Sequence, residues 1–322
     1  MKILNYLYLF VATVIWSLAT PLVKYALNDV DPYFFLFSRF LIVAILCAPY
    51  LWMIVSKKKY SAYDWFNIAL FSVTGQVTLI IFFAGLDLTT SSDAIIIGLI
   101  APLITIAAGH YFYREKINLF KEIGILVAFL GAILVIIEPL LSQTNGVAKN
   151  RFLGNLLISS TILIGTFWVV YSKFLFGTNS IKLISWMKKI NIKLHKKKYS
   201  ETDFTILSFY GVFITTIPFY LFNFNEYNQK IMTISPSSLG VILYMAIFSS
   251  IVAYIMYTKA QAKMEVSEVS FLSYISPLFS LPASYFILGE IPSLFSFIGL
   301  SIIFLGIAIA KSFDQKAAHK RK

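Results

Sequence analysis

The sequence predicts an all-α integral membrane protein with ten transmembrane helices, arranged as two inverted-topology five-helix repeats. Composition is the first observation behind this: of 322 residues, 58% are hydrophobic and 13% are Asp, Glu, Lys or Arg. A soluble domain shows about 45–50% and about 25%. The second is spacing, because ten apolar runs follow one another, each near the ~20 residues that span a bilayer core. The third is an internal alignment at a fixed offset of 175 residues. The deficit of charge excludes a solvated globular enzyme, a disordered chain and a nucleic-acid-binding domain.

The runs lie at 4–27, 33–55, 65–86, 93–113, 117–137, 152–176, 204–223, 237–258, 267–288 and 293–311. Each is bounded by charged residues or by Pro, Gly and Asn punctuation. The first is too long for a signal-peptide core and more spans follow it, so it reads as a retained helix. The single cysteine, Cys47, lies inside a run and no disulfide framework is possible.

The net charge of +12 sorts by side of the membrane. Of 27 basic residues, 21 fall on the even loops and the two tails, three (Lys149, Arg151, Lys230) on the opposite side, and three (Lys24, Arg39, Lys173) within spans. Lys and Arg accumulate on cytoplasmic loops, so both termini are expected in the cytoplasm and the protein in the cell (inner) membrane. The basic balance is a topology signal, and no nucleic acid is expected as a partner.

At the 175-residue offset, 92–135 superposes on 267–310 without a gap, with 13 of 44 positions identical. Pro102 meets Pro277, Glu115 meets Glu290, Gly124 meets Gly299 and Gly131 meets Gly306. An offset of 169 places Phe40 on Phe209 and Pro49 on Pro218. Five spans per half is an odd number, so the second copy enters the membrane upside down. Such repeats are commonly used for alternating access. The expected units are 1–137, an exposed linker at 138–151, a second repeat at 152–311 and a basic cytoplasmic tail at 312–322.

Several of these residues form a recognisable pattern: P-x12-E in the fourth helix of each half's five, L-F-x3-G-x6-G in the fifth, and IWSLATPLVKYAL, then DP, then FSRFL at the start. The pattern resembles the EamA domain of the drug/metabolite transporter superfamily over 4–137 and 152–311. That resemblance implies a ten-helix secondary transporter with a central cavity between the repeats. Members carry amino acids, other metabolites, nucleotide-linked sugars or drugs. One departure is the long basic stretch 178–202, where a short turn is expected.

Proline lacks an N–H and clashes with the carbonyl four residues back. Pro102 and Pro277 are therefore expected to free the carbonyls of Gly98 and Ser273 near the bilayer centre, where only protein or a wet cavity tolerates them. Paired interruptions point to a midplane binding site; two packing kinks are the plainer alternative. Arg39 lies about two turns into its span, roughly 10 Å below the surface, where a guanidinium is costly unless paired or hydrated. It is expected to hold an anionic group or anchor a gate, with Asp93 or Asp31 as partner, or else to fix helix packing by an ion pair. Lys24 and Lys173 are expected to snorkel to the interface or to pack, or else to gate or contact a ligand, and Asp93 to gate or pack. Asp93 and Glu268 suit the positive end of a helix, and His110 a hydrogen-bonded scaffold. Trp16, Gln76, Trp168, Tyr171, Tyr254, Tyr257 and Tyr274 come from helices that line the cavity in the resembled family, and join Arg39, Gly98, Pro102, Ser273 and Pro277 as substrate-contact candidates; each of the seven is otherwise an ordinary core or interface-belt residue. The paired glycines suit close helix packing.

Leu183, Met187, Ile190 and Leu194 recur at helical spacing among lysines. The stretch 178–202 is therefore expected to form a basic amphipathic helix on an anionic leaflet, or a solvated loop. No phosphate loop, zinc-protease motif or Cys/His cluster is present in the sequence, so no cofactor or catalytic role is expected. The expected activity is transport of small organic metabolites, amino acids or related compounds, by a monomer or homodimer. The alternatives are an exchanger of a nucleotide-linked or S-adenosylmethionine-like solute, and a membrane enzyme acting on lipid-linked substrates.

Overall fold

The computed structural model describes residues 2–142, 146–194 and 198–319. The expected linker and insert fall partly on 143–145 and 195–197, and the end of the tail on 320–322, outside the described residues. The fold is all-α. Among the described residues, nine helices are long and apolar enough to cross a membrane, and Leu294–Ala310 is a shorter apolar helix.

In chain order the first half holds α1 (Lys2–Ala26), α2 (Pro32–Lys57), α3 (Ala62–Leu88), α4 (Ser91–Gly98), α5 (Ala101–Tyr113) and α6 (Leu119–Ser142). The second holds α7 (Gly146–Leu175), α8 (Ile181–Lys189), α9 (Glu201–Phe222), α10 (Phe224–Thr233), α11 (Pro236–Tyr244), a π-helical stretch at Met245–Ala253, and α12 (Tyr254–Gln261). It ends with α13 (Val266–Leu272), a 3-10 turn at Ser273–Ile275, α14 (Ser276–Leu288) and α15 (Leu294–His319). The fourth span is thus α4 and α5 in series, the eighth α11 to α12, and the ninth α13 to α14.

Side-chain caps set several helix starts. Asp31 accepts from the amides of Tyr33 and Phe34, and Ser61 and Asp64 cap each other reciprocally. These bonds satisfy amides that have no partner inside the helix. The two halves do not sit side by side. α6 lies along α15, α3 along α7, α2 along α9 and α1 along α14, so each contact joins one half to the other.

The closest of these contacts uses the paired glycines. A methyl group on Gly306 would stand 2.5 Å from the Gly124 oxygen, and one on Gly131 2.6 Å from the Gly299 oxygen. Gly124 corresponds to Gly299 and Gly131 to Gly306, so the pairing is self-reciprocal and α6 and α15 meet about the pseudo-two-fold axis. Backbones this close leave no room for a Cβ.

Two expectations are corrected. Residues 138–142 continue α6 instead of forming an exposed linker, and Glu138 is buried because Arg151 reaches it at 2.9 Å. Among its described residues the basic stretch is helical over α8, after which Asn191 takes a left-handed conformation (φ 61°), and its last two residues begin α9. Its apolar side does not face lipid throughout: Leu183 and Met187 are buried in the protein core, while Trp186 and Ile190 remain exposed. The chain around it is tied down by Ser180 Oγ donating to the Phe112 carbonyl and by Tyr199 donating to Asp64 at 2.7 Å. Helix α10 was not foreseen. Lys230 and Ser235, on and just after it, hold Asp29 at 2.6 and 2.8 Å.

Gly131→Ala is expected to lower unfolding stability in detergent by about 1–3 kcal/mol, the usual cost of overpacking. Gly240→Ala, whose methyl would meet nothing within 4 Å, is the control and should leave the thermal midpoint unchanged or raise it, by up to about 1 kcal/mol of helix propensity.

Candidate functional site

The fourth and ninth spans break at equivalent places. α4 stops at Gly98, Leu99 and Ile100 tighten into i−3 hydrogen bonds, and α5 restarts with Pro102 at its second position. In the other half Ser273–Ile275 form the 3-10 turn and α14 restarts with Pro277 at its second position. Proline is tolerated there because its missing N–H would be unpaired anyway. The two breaks face a cavity of about 460 Å3.

Gly98, Pro102, Ser273 and Pro277 line this cavity, together with Trp16, Arg39, Trp168, Tyr254 and Tyr257. Its aromatic wall is continuous. The Trp16 ring lies 5.0 Å from those of both Tyr254 and Tyr257, and Trp168 lies 5.9 and 6.4 Å from the same two. Hydroxyls of Thr20, Thr105, Thr161, Thr166, Ser249 and Ser270 punctuate the wall.

Three expected contact residues are not at the cavity. Tyr171 is fully buried and donates to Asn67 at 2.9 Å, in a network that continues through Tyr199 to Asp64. Tyr274 lines a second cavity with Lys121, Glu265 and Glu268. Gln76 is buried outside the lining, with neither end of its amide hydrogen-bonded.

The charged residues also rearrange the expected pairings. Arg39 pairs with neither Asp93 nor Asp31; it donates to two serine hydroxyls, Ser250 at 2.8 Å and Ser249 at 3.4 Å. Asp31 is used as a helix cap. Asp93 receives Arg151 at 2.7 and 2.8 Å and Ser296 at 3.1 Å, so it joins α4, α7 and α15. Lys24 does not reach for the interface; it donates to the Leu86 and Asp87 carbonyls at 2.8 and 2.9 Å, at the end of α3. A cation there complements the negative end of the helix.

The two conserved-offset glutamates close a reciprocal arrangement. At the end of the bundle that carries the termini, Glu115 accepts from the amides of Val266 and Ser267 at 2.8 and 3.0 Å, the first two residues of α13. At the other end Glu290 accepts from Ser91 and Ser92 at 3.2 and 2.9 Å, the first two of α4. Both donors and acceptors are related by 175 residues. Lys173 joins the first clasp, bonding Glu115 at 3.1 Å and the Met264 carbonyl at 3.0 Å. It is a buried ion-pair member and does not snorkel. His110 Nδ1 lies 2.6 Å from the Glu115 carbonyl, as a scaffold contact. Burial pushes the Glu115 carboxyl up, but Lys173 and the two amides outweigh it and hold the group below the usual glutamate range.

The model of the EamA-like transporter family matches residues 3–137 and 224–311. A protein of Archaeoglobus fulgidus described as an uncharacterized transporter is 25% identical over 304 residues, covering 94% of this chain and 96% of that protein. The uncharacterized transporter YetK of Bacillus subtilis is 24% identical over 275 residues, covering 84% and 76%. A solved crystal structure at 16% identity superposes with a TM-score of 0.58 over 97% of this chain and 98% of the other, a likeness of fold alone.

Because Glu115 is held below its ordinary value, its contribution is complete above the unperturbed range near 4.3 and is lost as pH falls through the lowered value. The thermal midpoint is therefore expected to fall on acidification below about pH 4, and Glu115→Gln to reduce the neutral-pH midpoint and flatten that dependence. Arg151→Ala, which strips a shared cation from Asp93 and Glu138, is expected to cost about 3–5 kcal/mol in the same measurement.

Proposed function

The chain belongs to the EamA-like transporter family, and on that premise we propose that it is a secondary transporter carrying small organic metabolites by alternating access through the central cavity. One observation carries this reading: a cavity at two paired helix breaks, with a reciprocal clasp about one turn away at each end. Ser270 lines the cavity one turn after the Glu115 clasp on α13, and Ala94 and Ile95 line it one turn after the Glu290 clasp on α4. Releasing Glu115 from the start of α13 frees the route toward the termini. Releasing Glu290 from the start of α4 frees the opposite route. The distribution of basic residues supports the terminus-bearing end as the cytoplasmic one.

A volume near 460 Å3 falls within the range of small-molecule sites, about 300–1,000 Å3. A mostly apolar and aromatic lining with scattered hydroxyls suits amphipathic solutes, and amino acids or related compounds are the class proposed. The exposed Trp186 on α8 and Ile190 just after it, beside the helix's lysines, support contact of that helix with a leaflet surface, in addition to its packing against the protein.

The experiment is an exchange screen in proteoliposomes loaded with a metabolite mixture. A methyl group on Gly98 would meet nothing within 4 Å and Gly98 lines the cavity, so Gly98→Trp, its folding checked by thermal midpoint, should obstruct the cavity and abolish flux. Undiminished flux in that variant rejects the route. In a Gly98→Cys background, Glu290→Gln should raise labelling by a membrane-impermeant maleimide from the side opposite the termini. Glu115→Gln should raise it from the terminus side. Equal labelling from both sides in both variants counts against clasps that gate.

A further inference from the structure

Arg39 is 1% exposed, deep in α2, and none of the ion pairs among the described residues involves it. Its guanidinium carries five N–H groups and has two protein acceptors, both neutral: Ser250 Oγ at 2.8 Å and Ser249 Oγ at 3.4 Å. The Phe40 ring lies 5.2 Å from its central carbon. A buried cation partnered only by hydroxyls keeps most of its desolvation cost. The other buried cation described above, Lys173, has a carboxylate partner.

The serines that meet Arg39 belong to the π-helical stretch Met245–Ala253. Such stretches insert an extra residue per turn and occur frequently at functional sites. Here the Ser250 hydroxyl donates to the Met245 carbonyl five residues back, at 3.0 Å, which turns its lone pairs toward Nε of Arg39. Trp16 Nε1 donates to the Ser249 carbonyl at 3.0 Å, so the aromatic wall and the arginine are fixed to one backbone segment. Arg39 and Ser249 both line the cavity. Among the lining residues no Asp, Glu or Lys appears, and Arg39 is the single fixed charge.

Resting on the transport reading above, we propose that the cavity selects solutes bearing one anionic group, a carboxylate above all, on an apolar or aromatic body, with Arg39 and Ser249 as the anion subsite. The long Ser249 contact is the replaceable one, and the hydroxyl it frees donates to the bound carboxylate. A carboxylate oxygen that takes its place on Nη2 forms a charge-assisted bond, shorter and about twice as strong as a neutral one. The body of the solute then lies against Trp16, Trp168, Tyr254 and Tyr257. Aromatic faces also attract cations, so the ammonium of an amino acid is accommodated. Without an acidic wall residue to offset Arg39, a solute with an ammonium and no carboxylate is repelled. The anion is obligatory and the ammonium optional.

The test measures binding to purified full-length protein by thermal-midpoint shift and tryptophan quenching. Its probes are matched monocarboxylates, amino acids and amines on shared skeletons, such as 3-phenylpropanoate, phenylalanine and phenethylamine. The carboxylate-bearing members should bind at least about ten-fold more tightly than the matching amines, a difference of about 1.4 kcal/mol. Arg39→Gln should erase that preference, Arg39→Lys should retain part of it, and Ser249→Ala should weaken carboxylates several-fold with amines unaffected. Amines binding as well as carboxylates, no carboxylate binding at all, or a preference that survives Arg39→Gln each overturns the proposal. If Arg39→Gln does not fold, an unaltered preference in both Arg39→Lys and Ser249→Ala overturns it. Flux is scored separately: carboxylate binding without flux rejects the transport reading and leaves the anion subsite standing. Flux that survives Arg39→Gln with its selectivity intact does the reverse.

Discussion

A helix that begins inside a low-dielectric bundle has amide hydrogens with no intrahelical acceptor and no water to take them. The rest of this structure follows from how those amides are satisfied. Four of them, at Ser91, Ser92, Val266 and Ser267, are held by two carboxylates that come from the opposite half of the chain. Each carboxylate terminates the very span whose equivalent it caps. A glutamate also complements the positive end of the helix it faces. The same two contacts thus begin two broken helices, join the halves and bracket the cavity.

Beyond α8 and α10, which have no counterpart in the first half, departures from two-fold symmetry fall on the clasps. Gly109 leaves room for Glu115, since a methyl group there would stand 2.9 Å from its carboxylate. Its equivalent, Ser284, donates to Glu290 at 3.1 Å. Arg114 and Gly289 end equivalent helices in the same left-handed conformation, φ 58° and 67°. Glycine adopts it without strain, and an arginine pays roughly 1–2 kcal/mol. Lys173 neutralises the first clasp directly, whereas Lys24 spends its donors on the end of α3. The clasp at the terminus-bearing end is an ion pair with buried partners, and the other is built from hydroxyl and amide donors. Two clasps of different chemistry thus stand at the two ends of the bundle.

The spans, their inversion, the glycine pairs and the proline breaks were legible because each depends on local pattern: apolar run length, small residues at fixed spacing, a missing N–H. Tertiary partners were not. The 175-residue offset aligns Glu115 with Glu290 and Ser92 with Ser267, yet alignment alone does not state that each glutamate meets the other half's serines. Lys173 looked like a snorkelling residue because its position within a turn of the helix end was visible and its carboxylate, 58 residues away in the chain, was not. Tyr171 looked like a cavity aromatic because its ring type and helix were known, whereas its hydroxyl is committed to Asn67. The serines beside Arg39 carry no signal in sequence, since a π-helical register is invisible to a 3.6-residue period.

The interleaving of the halves limits where motion is possible. α6 and α15 pack backbone to backbone about the pseudo-two-fold axis, and no residue of either lines the cavity. Sliding there would drive Gly299 and Gly306 into carbonyls that already exclude a methyl group. Because α1 lies along α14 and α3 along α7, the two sequence repeats cannot separate as rigid lobes without breaking most of their contacts. The segments with alternative backbone geometry are the short ones: α4 and α5 on one side, α13 and α14 on the other, each already interrupted beside a proline. A conformational exchange that keeps the α6–α15 contact and redistributes the two clasps therefore requires rearrangement at the breaks themselves. Under the proposed transport function, the moving backbone is the cavity's own wall, so occupancy of the cavity and the state of both clasps would be mechanically linked.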